Sequence, residues 1–220
     1  EVIKKLNQEL EIDIIPTFLG AHTFPPEYEN KKDDYVDLIC NEMIPEIAEK
    51  KLAIFCDVFC EEGYFSVKDS EKILSKAIEF NLIPRLHADE FIDSGSAELA
   101  GKMNAISADH LMSVNSEGIK SLSENNVIAT LLPGTTFFLN MNNYANGRKL
   151  IDNNCEVALA TDFNPGTCTI RSLSNIMFLS INYCGLSIDE AFKAVTYNAA
   201  KALKIHDKVG LIKEKYKADF

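Results

Sequence analysis

Short apolar runs alternate along the chain with segments of helical periodicity, and turn residues separate the two. The apolar runs predict six strands. These cover residues 12–20 (IDIIPTFLG), 53–60 (AIFCDVFC), a run through Leu82-Ile83-Pro84 that leads to His87, 105–111 (AISADHL), 127–132 (VIATLL) and 157–161 (VALAT). After the first, the loop Ala21-His22-Thr23-Phe24-Pro25-Pro26 is held extended by its paired prolines. Asp34 to Glu49 predicts an amphipathic helix with Val36, Ile39, Met43, Ile44 and Ile47 near one side and a kink at Pro45. Ser66-Val67-Lys68-Asp69 resembles a capping box and opens a helix through Phe80. Further helices are predicted over residues 97–104, 116–125, 146–153, 171–183 and 187–203, the last with a capping box of Ser187 and Glu190. Pro133-Gly134-Thr135 reads as the stop of the fifth strand.

Strands that alternate with helices imply a parallel sheet with crossover helices. Near-continuous apolar strands imply burial on both faces. A doubly wound sheet and a (β/α)8 barrel both satisfy this. The barrel is favoured because polar residues recur at the C-terminal ends of most strands, where barrel enzymes build their sites. No Gly-rich phosphate loop follows any strand, which weighs against a nucleotide-binding sheet. The predicted class is therefore α/β: a partial (β/α)8 TIM-like barrel, with about six of eight β-α units present. No linker or low-complexity tract divides the chain, so residues 1–220 read as a single domain. Glu1-Val2-Ile3-Lys4-Lys5 carries no initiator methionine and is no signal peptide, and the chain stops as an apolar run begins. The expectation is a barrel truncated at both ends.

Charge and cysteines narrow the class. A net charge of -11 argues against a nucleic-acid surface and against binding to an anionic membrane. No apolar run reaches the roughly 18 residues of a membrane span. Cys40, Cys56, Cys60, Cys155, Cys168 and Cys184 form no CxxC pair, and most lie where small core residues belong. They point to a reducing, cytoplasmic setting rather than a disulfide framework.

The candidate chemistry lies at strand ends. Of the four histidines, His22, His87 and His110 follow strands at equivalent places in their β-α units. Each alone is most simply a histidine satisfied in a loop; three at one end of a barrel are harder to dismiss. His206, in Ile205-His206-Asp207-Lys208, has the bland reading. His87 is a candidate metal ligand, and Glu90, three residues on, is close enough to reach a nearby water. Asp162 ends an apolar strand. It is either the Asx-turn residue that starts Asn164-Pro165-Gly166, or a carboxylate directed into the barrel mouth as ligand and proton acceptor. His87 and Asp162 make two firm ligands and His110 a third candidate, fewer than a complete catalytic zinc-type site needs. Asp57 and Glu61 are expected to be structural because no histidine accompanies them, and Asp89 is expected to be a solvated bystander.

Several stretches resemble a known family: Leu19-Gly20-Ala21-His22-Thr23-Phe24-Pro25-Pro26-Glu27-Tyr28, Leu86-His87-Ala88-Asp89-Glu90-Phe91, Ser107-Ala108-Asp109-His110-Leu111, Leu132-Pro133-Gly134 and Ala160-Thr161-Asp162-Phe163-Asn164-Pro165-Gly166-Thr167. With the closing Gly210-Leu211-Ile212 and Lys217-Ala218-Asp219-Phe220, they resemble the imidazolonepropionases of the amidohydrolase superfamily. The resemblance implies hydrolysis of 4-imidazolone-5-propanoate to N-formimidoyl-L-glutamate, the third step of histidine degradation. It implies one divalent or trivalent metal, zinc or iron, held by two histidines of an HxH motif together with His87 and Asp162. Neither the HxH motif nor the arginine and tyrosine that would hold the propionate is in this chain, and a small β-sandwich domain is also expected outside it. By the same resemblance, Glu90, His110 and Asp162 are catalytic; His22, Glu90, Asn164, Gly166 and Thr167 bind substrate. Glu90 then shuttles the proton, and His110 is a hydrogen-bonding electrophile rather than a ligand. The implied partners are a small-molecule substrate and a second copy in a homodimer, with no nucleic acid and no membrane. The competing readings are another amidohydrolase, such as a purine or pyrimidine aminohydrolase, and a non-catalytic barrel scaffold.

Overall fold

The computed structural model describes residues 1–218; Asp219 and Phe220, the end of the closing motif, lie outside the described residues. Six strands form one sheet: β1 (Thr17–Ala21), β2 (Phe55–Cys60), β3 (Ile83–Ala88), β4 (Ser107–His110), β5 (Ile128–Leu131) and β6 (Val157–Leu159). Their order in space is their order in the chain, and every pair is parallel. A doubly wound sheet reverses its strand order at a switch point. Sequential parallel order is instead that of a (β/α) barrel, whose crossover helices lie on one side of the sheet. The expected partial barrel is borne out.

Local chemistry moves several boundaries. The first strand begins at Thr17, not residue 12. The Asn7 side chain clamps Ile14, donating to its carbonyl and accepting from its N–H at 2.8 Å each, and Pro16 brings no N–H to a ladder. Asn7 lies just inside the end of α1 (Val2–Glu9), a helix the apolar pattern did not announce. The predicted helix over 34–49 is α2 (Lys32–Leu38) and α3 (Ile44–Glu49), joined by a π-helical turn over Ile39–Met43. Pro45 lacks the N–H that would continue the α ladder, and the ladder widens just before it. The Ser66/Asp69 capping box forms as read and opens α4 (Val67–Glu79).

Next come α5 (Ser96–Lys102) and α6 (Ser116–Glu124). Pro133 opens a helix instead of only stopping a strand: it occupies the first turn of α7 (Pro133–Phe138), where a missing N–H costs nothing. Then follow α8 (Gly147–Asp152) and α9 (Leu173–Tyr183). The predicted helix over 187–203 divides at Thr196, whose backbone (φ -117°, ψ -91°) is not helical. The result is α10 (Ile188–Val195), capped by the Ser187/Glu190 box, and α11 (Tyr197–Ala202).

The core lies between the convex side of the sheet and the helices. Val58, Leu86, Ala108 and Leu131 meet Ile44, Ile73, Leu74, Ile119 and Leu122, all at 2% exposure or less. Each large aliphatic side chain buried there stabilises the fold by about 1.5–3 kcal/mol. Helices α5 and α6 pack closely at Gly101, where a Cβ would come within 2.7 Å of the Ser121 carbonyl oxygen. All six cysteines are buried and free, as their apolar surroundings suggested.

Candidate active site

Register decides which side chains share the concave face. Residues paired across a parallel ladder point the same way, and the pairing runs Phe59, His87, Asp109, Thr130, Ala158 from β2 to β6. One step down lie Asp57, Arg85, Ser107 and Ile128. A cavity of about 330 Å³ on this face is lined by His87 and Asp162 together with Asp57, Arg85, Asp109 and Thr130.

His87 and Asp57 are joined, with Nδ1 of the imidazole 3.1 Å from Oδ1 of the carboxylate. Burial by itself would lower the pKa of His87. The Asp57 charge and hydrogen bond, with Asp109 and Glu90 adding charge, outweigh it and raise the value to about 9. The expectation that Asp57 lacks a histidine partner is thus corrected. The partner comes from the neighbouring strand, 30 residues away in sequence, where spacing along one strand carries no signal.

His110 reaches the site through its backbone. Its register partner Ala88 is fully buried on the helix side, and regular alternation would send His110 there too. A φ of +78° breaks the alternation, and the His110 ring centroid lies 5.3 Å from that of His87. Leu111 follows with φ +59°, an uncommon conformation for a leucine, and Asp162 has φ +51°. Such conformations gather at the ends of active-site strands, where the surroundings hold them. Here the Leu111 N–H donates to the Ala88 carbonyl at 3.0 Å. His110 is 3% exposed, and its pKa is pushed well down, first by burial and then by the neighbouring His87 and His22.

Glu90 is buried rather than solvated. It is 5% exposed, and Oε1 lies 3.5 Å from Nδ1 of His110. Burial raises its pKa; His87 pulls down while Asp162 and Glu61 push up, and the value reaches about 7. Asp89 is not solvated either. It is fully buried, and its carboxylate accepts from the backbone N–H groups of Ser94, Ser96 and Ala97 and from the Ser96 hydroxyl. Asp89 therefore caps α5 from outside the helix and fixes the loop that carries Glu90. Glu61, expected to be only structural, braces the same loop by accepting from the Phe91 N–H at 2.9 Å.

His22 is more open. Its ring stacks on Phe59 at 5.4 Å and stands edge-on to His87 at 5.8 Å. Its pKa is lowered, by partial burial and then by His87. The Asp162 carboxylate accepts from the Thr135 hydroxyl at 2.6 Å through one oxygen, Oδ2. Asn164 uses its side chain within its own loop: Oδ1 accepts from the N–H of Gly166 and Thr167, and Nδ2 donates to the Asp162 carbonyl. The Asx-turn reading of this loop therefore holds for Asn164, while Asp162 lines the cavity. His206 packs edge-on against Tyr197 and is not among the cavity-lining residues.

One group of three side chains among the described residues brings acidic, histidine or cysteine donor atoms within 4.8 Å of one another: Asp89, Asp93 and Glu98. Most of its oxygens are engaged by the α5 cap and by the amide of Asn115, which donates to both Asp93 and Glu98, while Oε2 of Glu98 has no hydrogen-bond partner. It is loop architecture.

Comparison with known proteins supplies relatives. A family model described as "Amidohydrolase family" matches residues 142–220. An imidazolonepropionase of Bacteroides fragilis is 46% identical over 100% of this chain and 53% of its own length. Those of Brevibacillus brevis and Alkaliphilus oremlandii are 47% and 44% identical, again over 100% of the chain and over 51% and 52% of their own lengths. The chain thus spans about half the length of the curated relatives it matches, and the resemblance read from its motifs is borne out. Among solved structures, a 5-methylcytosine deaminase from Klebsiella pneumoniae liganded with phosphonocytosine superposes with a TM-score of 0.75. It has 16% identity and covers 99% of this chain and 58% of the other. An adenosine deaminase from Xanthomonas campestris with bound zinc gives 0.67 at 17% identity, over 90% and 50%. At such identities these two attest to the fold alone.

Proposed function

We propose that the chain belongs to the amidohydrolase family as the main part of the catalytic barrel of an imidazolonepropionase. That enzyme opens the ring amide of 4-imidazolone-5-propanoate to N-formimidoyl-L-glutamate. The observation that carries the reading is the gathering of His87, Glu90, His110 and Asp162 at the C-terminal ends of β3, β4 and β6. They do so in a chain that matches imidazolonepropionases over its whole length.

The residues fit part of a metal site. With Nδ1 of His87 engaged by Asp57, Nε2 is the free donor nitrogen, and Asp162 keeps an oxygen beyond the one bonded to Thr135. In this proposal His87 and Asp162 hold one zinc or iron ion, and the remaining ligands belong to the half of the relatives' length that this chain does not span. A bound ion supplies Lewis acidity toward water and toward the ring carbonyl. Glu90, with a pKa near 7, takes the proton of the attacking water. Asp162 can share that role through its free oxygen. His110 donates to the carbonyl oxygen as negative charge grows there, a contribution of about 3 kcal/mol per donor. Its depressed pKa keeps it neutral, so it acts as a hydrogen-bond donor and not as a cation. Glu90 then returns the proton to the ring nitrogen, and the amide bond breaks. His22, Gly166 and Thr167 contact the substrate, with Asn164 holding the last two in place.

Residues 1–220 form one catalytic-barrel unit of the longer protein in this reading. The whole enzyme is a cytoplasmic homodimer without nucleic-acid or membrane partners. Six buried free cysteines agree with a reducing compartment, and no helix among the described residues is long and apolar enough to cross a membrane. The outer face of α9 leaves Phe178 and Tyr183 exposed, with Phe192 of α10 exposed as well; this apolar surface suits a second copy. Steady-state assays of the whole protein test the activity. Turnover of 4-imidazolone-5-propanoate is expected, with none of guanine or cytosine. Turnover of a base alone would mean an aminohydrolase, and a protein inert toward all three would be a scaffold.

A further inference from the structure

We propose that Asp57 is a positioning residue for the metal centre: it holds the His87 imidazole in the tautomer and orientation that present Nε2 to the ion. The proposal rests on the functional reading above. Its basis is geometric. Asp57 and His87 lie on adjacent strands, with Asp57 two residues before the register partner of His87, so both side chains project from the concave face. The carboxylate is 5% exposed, and its Oδ1 lies 3.1 Å from Nδ1. Both residues line the same cavity as Asp162. A neutral imidazole has one N–H and one lone pair. With a carboxylate as acceptor at Nδ1, the N–H is placed there and the lone pair is left on Nε2.

The ring has few other restraints. Phe59 and His110 flank it at 5.4 and 5.3 Å between centroids, contacts that limit its tilt without choosing a tautomer. Asp109 is the register partner of His87 on the other side. Its Oδ1 has no hydrogen-bond partner, and no bond joins it to the ring. Asp57 alone supplies a directional contact to this imidazole among the described residues.

The test uses the whole protein as wild type, Asp57→Asn, Asp57→Leu and His87→Ala. Metal content and zinc affinity are measured by chelator competition, and the His87 tautomer by nitrogen-15 NMR of the metal-free protein at about pH 10, above the His87 pKa of about 9, where the ring is neutral. Asp57→Leu is expected to lose about 10–100-fold in zinc affinity. It should also show His87 as a mixture of tautomers. Asp57→Asn keeps an acceptor oxygen, so it should retain the Nδ1–H tautomer with a smaller loss of affinity, even if the leucine variant folds poorly. If wild type binds zinc, His87→Ala does not, and both Asp57 variants match wild type in affinity and tautomer, the proposal is overturned and the functional reading stands. If wild type holds no stoichiometric metal, the functional reading fails and this proposal falls with it.

Discussion

Asp89→Ala removes the carboxylate that ties the Glu90 loop to α5. Three backbone N–H groups, of Ser94, Ser96 and Ala97, lose their acceptor. Ser96 and Ala97 are fully buried, so water cannot readily replace it there. An orphaned buried donor costs about 1–3 kcal/mol, which puts these two at about 2–6 kcal/mol. Partial relaxation narrows the expected loss to about 3–5 kcal/mol, against a total stability on the order of 5–15 kcal/mol. Asp89→Asn keeps one acceptor oxygen but turns an amide toward the Ala97 N–H, and should lose about half as much. Urea unfolding of the whole protein, followed by circular dichroism, reads both values. A loss below about 1 kcal/mol in the alanine variant would refute the assignment of Asp89 as the cap of α5.

Glu90→Gln should keep wild-type metal content and lose about 10²–10⁴-fold in kcat, which turnover and metal analysis of one preparation measure together; a fully active variant would remove Glu90 as the proton shuttle. In the metal-free protein Glu90 should titrate near pH 7 by carbon-13 NMR. Its folded pKa lies above the ordinary 4.5, so the folded state holds the proton over that window. Its stabilising contribution is complete below about pH 4.5 and lost as pH rises through about 7. Relative to Glu90→Gln, metal-free wild type should therefore lose stability across that range, measured by urea unfolding at several pH values. Gly101→Ala should destabilise by about 1–3 kcal/mol, because its Cβ would press on the Ser121 carbonyl, whereas Gly166→Ala, meeting only Asn164 Oδ1 at 3.5 Å, should unfold at wild-type urea concentrations.

The parts of the fold carried by local patterns were legible. Strand–helix alternation needs only a window of residues, and both capping boxes formed where their spacing put them. What escaped depends on partners distant in sequence or on backbone strain. Asn7 stopped a strand at Ile14 through a side-chain clamp. Asp57 looked solitary because its histidine is on the next strand, and Asp89 looked solvated because the helix end it caps is not adjacent to it. His110 carries the clearest lesson. Its place after an apolar strand was visible, but the positive φ that turns it toward His87 has no signature in residue type. Family motifs marked Asn164 as a pocket residue, whereas its own polar atoms are taken up in bracing the loop.

Anomalous diffraction from crystals of the whole protein, recorded at the zinc and iron edges, tests the central claim most directly. The account predicts one peak within about 2.0–2.2 Å of both Nε2 of His87 and a carboxylate oxygen of Asp162. No peak at that position, or a peak at Asp89, Asp93 and Glu98 instead, would contradict it.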